Sequence, residues 1–508
     1  MRSPRSPRCS PQAGRLPRTR SSLDAALTVN GTRRGRVTFF VPTWLESATS
    51  GAFPYKVIPV LSSLTRNGFD VDLFIESLDG RRPTGLEDSL RSCSAAVAWC
   101  AELNPGVQIA GLVSFLGLAA ELNPAAPRLT GGGFFTFVNS DTGFDVDPLA
   151  HRIVPDSGIG SLPDAITQLL SDSDRATDQA ASQFDCSVMH ELDLQPFLNP
   201  EWFLFGTGER ALQIPTGYGC GKKCSFCFYE QTHPKFLRAE ELVSLVTRIR
   251  TEYGVKQFLF GELDFFASRS RAVRVAQGLL DQDADVRWFA LVSAQDIERL
   301  SDEDLDVIAR SGCHILEIGT EVGSDGAMDR IGKKLTVEIA IEQSRRLIQR
   351  GIVPLHNMMF GFVGETAHDR RDTLRIIKRL RRLHPAVQFT FRVYQAVPAT
   401  TMGDEALRLL PAIPKNLNDL ASFRFELRDG RGMPWLEARE EREVKFLTEY
   451  ILPLAYDDPQ KVHRPTLLRR ALRLAAEARC ALGYLRAPWD RAVFRRFEKA
   501  PLCGTFSP

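Results

Sequence analysis

Three cysteines lie within eight positions of the sequence. Cys220, Cys224 and Cys227 are spaced C-x3-C-x2-C in the stretch GCGKKCSFCFYE. A structural zinc site normally closes with four ligands, and the nearest further candidate is His233, six residues beyond the third cysteine. An iron–sulfur cluster held by three thiolates would instead leave one iron open to an external ligand. The spacing favours such a cluster, with zinc and a chance grouping as the alternatives.

The composition is that of a soluble globular protein. At 508 residues the chain is too long for one compact core, so we expect two to four domains. Lysine and arginine number 64 against 62 acidic residues, and this balance gives no overall field to attract nucleic acid or an anionic membrane. The most apolar run, residues 107–122, is shorter than the roughly 20 residues of a membrane span and contains Glu121. We therefore expect no nucleic-acid partner and no membrane span, and we interpret this run as a buried helix.

The amino-terminal stretch is basic and polar. It is rich in Arg, Ser and Pro and has no acidic residue before Asp24. This composition predicts a disordered basic tail over residues 1–35 or an upstream-extended start, with organellar import as the alternative. No secretory signal is visible, so we expect a reducing, cytoplasmic location in which the ten cysteines are reduced or hold metal.

Residues 36–172 alternate between short apolar runs and amphipathic stretches. Strands are predicted at 37–41, 70–76, 95–101 and from 128 onward, with helices between them. This order predicts an α/β fold, a doubly wound (Rossmann-like) parallel sheet with helices on both faces. Ligands bind such sheets beyond the carboxyl ends of the strands. The glycines at 131–133 follow the fourth strand, where the backbone can approach a ligand closely. A glycine turn without a ligand is the alternative, and the lack of G-x-G-x-x-G argues against a nicotinamide site.

A polar linker at 173–197 separates this region from a second α/β region at 198–405. Six strand-and-helix units there predict a partial (β/α)6 TIM-like barrel, with its reactive end at the carboxyl termini of the strands. The cysteine loop leaves the first strand of the six and so lies at the barrel mouth. Residues 406–508 are arginine-rich and amphipathic, and they predict a helical carboxyl-terminal region.

The cysteine motif, with Phe226 just before its last cysteine, resembles the signature of radical S-adenosylmethionine (SAM) enzymes. In that family the three thiolates hold a [4Fe-4S] cluster. The amino and carboxylate groups of SAM chelate the fourth iron, and reductive cleavage yields a 5'-deoxyadenosyl radical. The resemblance therefore implies both cofactors and an external electron donor such as flavodoxin or ferredoxin.

Three downstream segments are similar to the strands of that family that contact SAM. FLFGELDFFAS resembles the segment that accepts the ammonium group, IGTEVGSDGAMDRIGKKLT the segment near the ribose, and FGFVGET the glycine turn under the adenine. The last departs from the family by carrying Val363 where proline is usual. The resemblance assigns SAM contacts to Phe226, Gly261, Glu262, Glu321, Gly323, Ser324, Gly361 and Gly364.

Several of these residues have a simpler interpretation. Glu262 and Asp264 would then be surface charges at a strand end, and Glu321 would pair with a lysine such as Lys333. His356 is interpreted as a hydrogen-bonded core histidine rather than a proton carrier. No pair of side chains stands out as a nucleophile and its base, so no catalytic residue is assigned. Residues with a candidate pocket role are Tyr394, Gln395 and Trp435.

A doubly wound domain ahead of this barrel resembles the cobalamin-binding subgroup of the family. TGGGFFTF is similar to the loop after the fourth strand that contacts the corrinoid in that subgroup. The D-x-H-x-x-G motif of other cobalamin proteins is absent, as is usual in the subgroup, and Ser161 stands where an acidic residue is common. The resemblance assigns cobalamin contacts to Gly131, Gly132, Gly133 and Thr136.

With both cofactors, the resemblance implies methylation of an unactivated carbon of a small molecule, either a natural product or a lipid-like compound. Radical cyclisation or rearrangement without methyl transfer is the alternative. A methylthiotransferase would need further cysteines for a second cluster, and Cys93 and Cys100 are better explained as core or strand residues. An iron–sulfur electron carrier belongs to a different class, but its cluster is normally closed by four thiolates.

Overall fold

The structure is a computed structural model that describes most of the two folded regions. The residues described are 34–42, 55–76, 82–100, 108–132, 135, 149–155, 161–171, 186–190, 211–227, 229, 233–396, 400–409, 415–422, 433–456 and 467–482. Residues 1–33 of the tail predicted at 1–35, most of the linker and the proposed cobalamin contacts Gly133 and Thr136 lie outside them. The chain divides into two compact units, Met1–Trp202 with Pro414–Arg424, and Phe203–Ile413 with Phe425–Pro508.

The first unit is built on a parallel sheet. Its strands are β1 (Gly35–Val41), β2 (Phe69–Ile75), β3 (Ala95–Cys100), β4 (Arg128–Gly132) and β5 (Arg152–Pro155), in the order β2-β1-β3-β4-β5. Strand order reverses at β1, which lies between β2 and β3, as in a doubly wound fold. The helices are α1 (Ile58–Arg66), α2 (Leu86–Ser92), α3 (Gln108–Leu122) and α4 (Leu162–Ser171).

Burial explains why these segments form a sheet. All six residues of β3 are buried, as expected for a parallel strand that is covered on both faces. The apolar run at 107–122 forms α3, as the sequence predicts. A short helix from the far end of the chain, Leu417–Ser422, belongs to this unit and contacts α3. None of the described helices is long and apolar enough to cross a membrane.

The second unit contains a six-stranded parallel sheet. Its strands are β6 (Ala211–Ile214), β9 (Gln257–Phe260), β10 (Arg287–Val292), β11 (Cys313–Glu321), β12 (Val353–Phe360) and β13 (Gln388–Val393). They pair in chain order from β6 to β13, and a two-stranded hairpin of β7 (Gly217–Tyr218) and β8 (Lys235–Phe236) follows β6. The predicted fold class, a Rossmann-like domain and a partial (β/α)6 barrel followed by helices, is confirmed.

Helices follow the barrel strands. They are α5 (Ala239–Tyr253), α6 (Arg269–Asp281), α7 (Ala294–Glu298), α8 (Asp302–Arg310), α9 (Asp325–Arg330), α10 (Val337–Ile348) and α11 (Ala367–Leu383). After β13 come α12 (Thr401–Leu407), α13 (the Leu417–Ser422 helix of the first unit), α14 (Ala438–Phe446), a π-helical turn (Leu447–Ile451), α15 (Leu452–Tyr456) and α16 (Leu467–Leu482). Local signals set several boundaries: Ser301 and Asp304 form a capping box at the start of α8.

The interior of the barrel is closed by apolar side chains. Leu259, Phe289, Ile315 and Leu355 form one buried cluster, contributed by β9 to β12. Alternate residues of a strand point to the same face, so the residues two and four places further along each strand continue this inner face towards the barrel mouth. We call this cluster the apolar floor of the barrel. A ligand bound at the mouth would lie on the side of the floor towards the carboxyl ends of the strands.

Candidate cofactor site at the cysteine loop

The cysteine loop begins where β7 ends. Gly219 turns the chain with a φ of +79°, a conformation that glycine adopts without strain. The backbone N–H of Ser225 donates to the Ile331 carbonyl (2.9 Å), and its carbonyl accepts from Met402 N–H (2.8 Å). Gly332 approaches so closely that a Cβ there would lie 2.4 Å from the Lys223 carbonyl oxygen. The loop is thus fixed against the ends of α9 and α12.

The three thiols lie in a largely desolvated setting. Burial raises the pKa of Cys220 and raises the pKa of Cys227 to about 12. The Tyr229 N–H donates to Cys227 Sγ (3.5 Å), as expected for a sulfur that carries negative charge when ligated. Within the described ranges no three His, Cys, Asp or Glu side chains converge on a position for a single metal ion. In an iron–sulfur cluster each thiolate binds a different iron, so the three thiols do not need to converge on one position. Three thiolates are soft ligands and fit such a cluster.

A partly buried ion pair lies beside the thiols. Lys333 Nζ lies 3.1 Å from Glu321 Oε1 and 6.0 Å from the centre of the Phe226 ring. A Cβ on Gly319 would lie 2.7 Å from Lys333 Nζ, so the glycine makes room for this pair. The pairing proposed for Glu321 as the simpler interpretation is confirmed, and the pair lies at the carboxyl end of β11.

Glu262 occupies a different environment from the one expected. Its carboxylate is buried and accepts hydrogen bonds from Arg271 Nη1 (3.0 Å) and Thr216 Oγ1 (3.1 Å). Arg271 also donates to the Thr216 and Leu237 carbonyls (3.1 and 2.6 Å), so it ties β9 to the β7–β8 hairpin. The alternative that Glu262 is a surface charge is wrong. Arg271 and Thr216 already donate to this carboxylate, so its contact with SAM remains a prediction.

Asp264, two residues further, faces the cysteine loop. It is 3% exposed, and its Oδ2 lies 3.6 Å from Lys222 Nζ. Lys222 also pairs with Asp296, which is 1% exposed, at the start of α7. Burial and the neighbouring Asp296 carboxyl raise the pKa of Asp264 well above its ordinary value, and Lys222 offsets part of this. Asp264 is therefore a buried group, not the surface charge of the simpler interpretation.

Gly323 and Ser324 have clear structural roles. A Cβ on Gly323 would lie 2.3 Å from the Asp372 carbonyl oxygen, so this glycine permits close packing of the backbone on α11. Ser324 caps α9, and its hydroxyl accepts from Ala327 N–H (3.3 Å). The structure places both residues next to Glu321. Their conformations are explained by the protein itself, so any contact with SAM remains a proposal.

The turn after β12 is held by the carboxyl-terminal segment. Gly361, with a φ of +73°, donates its N–H to Glu365 Oε2 (2.9 Å) and accepts at its carbonyl from Trp435 Nε1 (2.7 Å). Glu365 pairs with Arg370 (3.0 Å), which in turn pairs with Glu440 of α14 (2.6 Å). Part of the carboxyl-terminal region thus packs directly on this turn.

Gly364 differs from Gly361 in its surroundings. It has a φ of +75°, and a Cβ built there meets no atom within 4 Å among the described residues. Tyr394, which follows β13, lies beside Trp435 with ring centres 5.7 Å apart, and its hydroxyl has no hydrogen-bond partner in the described part of the chain.

In the first unit, Gly131 and Gly132 lie within β4. A Cβ on Gly131 would lie 2.3 Å from the Val154 carbonyl oxygen and 2.6 Å from the Trp99 ring. Gly132 has a φ of +113°, and a Cβ there would lie 2.1 Å from the Cys100 carbonyl oxygen. Packing within the sheet is sufficient to require both glycines, and their contact with a corrinoid stays a prediction.

Other simpler interpretations are confirmed. His356 is fully buried, with Nδ1 2.8 Å from Thr320 Oγ1 and Nε2 3.1 Å from Ser344 Oγ, and burial lowers its pKa to about 3. Cys93 and Cys100 are both buried core residues.

A surface cavity of about 750 Å³ lies between α5 and α6, lined by residues such as Val243, Arg274 and Gln277, and it does not include the cysteine loop.

The residues that sequence reasoning missed are mostly the partners of the predicted ones. They are Thr216, Lys222, Arg271, Asp296, Glu365, Arg370 and Glu440. Arg271, Asp296, Arg370 and Glu440 lie on helices, and nothing in their spacing indicates which carboxylate or cation each one meets. Lys222 and Glu365 lie inside the quoted motifs, the cysteine motif and FGFVGET, so their positions carried a signal.

The chain is similar to known proteins over both units. A profile described as Radical SAM superfamily matches residues 214–377. An uncharacterised methyltransferase, PH0819 of Pyrococcus horikoshii, is 24% identical over 170 residues, which are 33% of this chain and 36% of that protein. The anaerobic magnesium-protoporphyrin IX monomethyl ester cyclase of Rubrivivax gelatinosus is 21% identical over 375 residues, 68% of this chain and 65% of that protein. The chain thus matches about a third to two thirds of the length of these relatives.

Among solved structures, the radical SAM methyltransferase TsrM of Kitasatospora setae, with cobalamin and a [4Fe-4S] cluster bound, has a similar fold. The superposition has a TM-score of 0.57 at 15% identity and covers 88% of this chain and 100% of that one. Similarity at this level of identity shows a shared fold. It covers the doubly wound unit as well as the barrel.

Proposed function

Residues 214–377 of this chain form a radical SAM domain, and from this premise we propose that the protein is a cobalamin-dependent radical SAM methyltransferase. Its substrate would be a small molecule, methylated at an unactivated carbon. The domain implies a [4Fe-4S] cluster and SAM, and the fold shared with TsrM supports cobalamin as the third cofactor. The proposal assigns cobalamin to residues 36–172, the barrel to 198–405 and the helical region to 406–508.

When bound, the cluster and SAM supply a hydrogen-abstracting radical, and the corrinoid supplies the methyl group. The protein must hold these groups. Cys220, Cys224 and Cys227 would ligate three irons. Asp264 replaces Glu262 as the proposed acceptor for the SAM ammonium group, because its Oδ2 accepts no hydrogen bond among the described residues and the Lys222 ammonium lies beyond hydrogen-bond distance from it, at 3.6 Å. The Glu262 carboxylate, in contrast, already accepts hydrogen bonds from Arg271 and Thr216.

The other proposed SAM contacts lie around the same mouth. Gly261 contributes its backbone at the end of β9, and Glu321 lies near the ribose position, with Gly323 and Ser324 beside it. Gly364 offers an open backbone surface for the adenine, whereas the backbone polar groups of Gly361 are already bonded within the protein. Phe226 contributes a ring face beside Lys333.

Above the apolar floor, three polar side chains line the inner face of neighbouring strands. Asn357 of β12 donates to Glu317 Oε1 of β11 (2.6 Å) and accepts from the Thr390 hydroxyl of β13. On β11 this layer lies between Ile315 of the floor and Glu321 at the mouth. We assign these three residues to substrate positioning, because Glu317 and Asn357 lie two residues beyond Ile315 and Leu355 of the apolar floor, towards the mouth, and Thr390 is bonded to Asn357.

One observation carries the proposal: three thiols without a fourth protein ligand in the described part of the loop, at the mouth of a barrel that follows a doubly wound unit. The test is anaerobic reconstitution with iron and sulfide, followed by incubation with cobalamin, a reductant, methyl-labelled SAM and cell extract as the substrate pool. We expect 5'-deoxyadenosine and label in a new small molecule. A cluster whose spectrum does not respond to SAM would overturn the proposal.

Radical cyclisation without methyl transfer is the second candidate. The alignment with the Rubrivivax cyclase, which covers 68% of this chain, favours it. The same experiment separates the two candidates. Label confined to methionine, with 5'-deoxyadenosine formed, would favour cyclisation.

A further inference from the structure

Lys222 lies between the first two cysteines and is held from outside the loop. Its Nζ pairs with Asp296 at the start of α7 and lies 3.6 Å from Asp264 Oδ2 after β9. The two aspartates are 1% and 3% exposed, and the Lys222 side chain is 29% exposed. The cysteine motif is therefore connected by side chains to the two βα loops next to it.

The contact joins the Lys222 ammonium group to two buried carboxyl groups, those of Asp264 and Asp296. Buried carboxyl groups require a cation or strong hydrogen-bond donors, because desolvation of an unpaired charge is costly. Asp264 accepts from Ser293 N–H (3.3 Å), and Asp296 also accepts from Arg299 (2.9 Å), whose side chain is 70% exposed. Lys222 is the more buried of the two cations that reach Asp296.

The Cys220 end of the loop is rich in glycine, in contrast to the Ser225 end, which backbone hydrogen bonds hold. Gly219 and Gly221 flank Cys220, and a Cβ on Gly221 would meet no atom within 4 Å among the described residues. Glycine-rich segments lose the most backbone entropy when they are ordered. An anchor between Cys220 and Cys224 lowers this cost before any ligand binds.

We propose that Lys222, Asp264 and Asp296 form a clamp that preorganises the Cys220–Cys224 segment for insertion of the cluster. Lys222 and Asp296 are thus positioning residues, acting through the cysteines. The inference rests on the proposed function, because it presumes that the three thiols bind a cluster. It adds that the affinity of the loop for iron depends on a lysine that itself binds no iron.

The test compares two lysines of the same loop. Lys223 is exposed, so Lys223→Met removes an equal charge without touching the clamp. After identical anaerobic reconstitution with iron and sulfide, we expect Lys222→Met and Asp296→Asn to lose iron to a strong chelator about tenfold faster than wild type, since at least one more residue must be ordered around the cluster. Lys223→Met should match wild type, and Lys222→Arg should restore most of the retention.

Folding is controlled separately. Lys222→Met leaves two buried aspartates without their lysine, so the triple variant Lys222→Met/Asp264→Asn/Asp296→Asn, which removes all three charges, is measured beside it. We expect the triple variant to melt within a few degrees of wild type in the apo form and still to release iron faster. If it retains iron like wild type, the clamp is refuted. If wild type itself takes up no cluster, the proposed function fails and not the clamp alone.

Discussion

Glu321 Oε1 lies 3.1 Å from Lys333 Nζ at the carboxyl end of β11, and Glu321 holds this position with a φ of +67°. Positive φ is costly for a residue with a side chain, so surrounding contacts must maintain it. Burial lowers the pKa of Lys333, but Glu321 and the nearby thiols more than offset this, and the net pKa is raised. Lys333 therefore stays charged next to the cysteines.

Breaking this pair should destabilise the barrel unit. Lys333→Met leaves a carboxylate with 14% side-chain exposure without its cation, and we expect a loss of about 2 kcal/mol of unfolding free energy, between the values for exposed and fully buried pairs. Glu321→Gln/Lys333→Met should lose less than the sum of the two single variants. A double-mutant cycle of apo-protein melting measures the coupling, and additive losses would show that the pair is not coupled.

Each of the three loop cysteines should be required for the cluster. Alanine at position 220, 224 or 227 should abolish the SAM-responsive visible spectrum and 5'-deoxyadenosine formation. Cys313→Ala is the matched control, since Cys313 is a buried thiol of the same unit in β11. It should keep the full complement of iron. Retention of a SAM-responsive cluster in a loop variant would contradict the ligand assignment.

Substitutions of Asp264 and Glu262 should have different effects, because Asp264 is proposed to bind SAM whereas Glu262 stabilises the fold. Asp264→Asn should weaken SAM binding to the loaded protein about tenfold, because an amide oxygen is a weaker acceptor for an ammonium group than a carboxyl group that ionises on binding it. The melting temperature should change little, because Lys222 keeps its ion pair with Asp296. Glu262→Gln should instead lower the melting temperature, because it breaks a buried pair with Arg271 worth about 3–5 kcal/mol when one partner is removed. Equilibrium dialysis and circular dichroism measure the two effects. The reverse pattern would restore Glu262 as the ammonium acceptor.

Gly323 should be intolerant of any side chain. Gly323→Ala would place Cβ 2.3 Å from backbone atoms of Asp372 and Thr373, and we expect a loss of about 3 kcal/mol or more. Gly351→Ala provides the comparison, because Gly351 has a φ of +74° but open space around its Cβ. It should cost only about 1 kcal/mol of backbone strain. Equal losses in thermal melts would argue against the packing explanation.

Glu365 should give the protein a measurable pH dependence. Burial raises its pKa from 4.5 to about 7, while Arg370 opposes the shift. A carboxyl group with a raised folded pKa contributes stability that is present below its unfolded pKa and is lost as pH rises through about 7. The melting-temperature advantage of wild type over Glu365→Gln should therefore shrink from about pH 5 to pH 8.

Glu440 supplies the control for this titration. Its hydrogen bond from Arg370 lowers the pKa of Glu440, so its contribution is lost only at acid pH. The difference between wild type and Glu440→Gln should stay nearly constant over the same range. A wild-type advantage over Glu365→Gln that does not change with pH would show that Glu365 is ionised throughout.

The sequence was sufficient for the order of elements and for the chemistry of the loop. Four of the five strands of the first sheet and the six strands of the second fall where apolar runs predict them, and α3 occupies the apolar run at 107–122. The short strand β5 was not predicted. The three cysteines identify the cluster motif because their spacing is local. Motif spacing and hydrophobic periodicity are properties of the sequence itself, so secondary structure and a local motif can be predicted from them without the tertiary structure.

The partners of each charged residue were decided by the tertiary structure alone. The sequence resemblance assigned the SAM contact to Glu262 and not to Asp264 two positions later, and only folding directs Glu262 to Arg271 and Asp264 to Lys222. Likewise, Gly323 fits a cofactor motif in the sequence, but the structure shows the α11 backbone pressing against it. Such contacts join residues far apart in the chain, and their energies depend on burial and distance, which one-dimensional spacing does not encode.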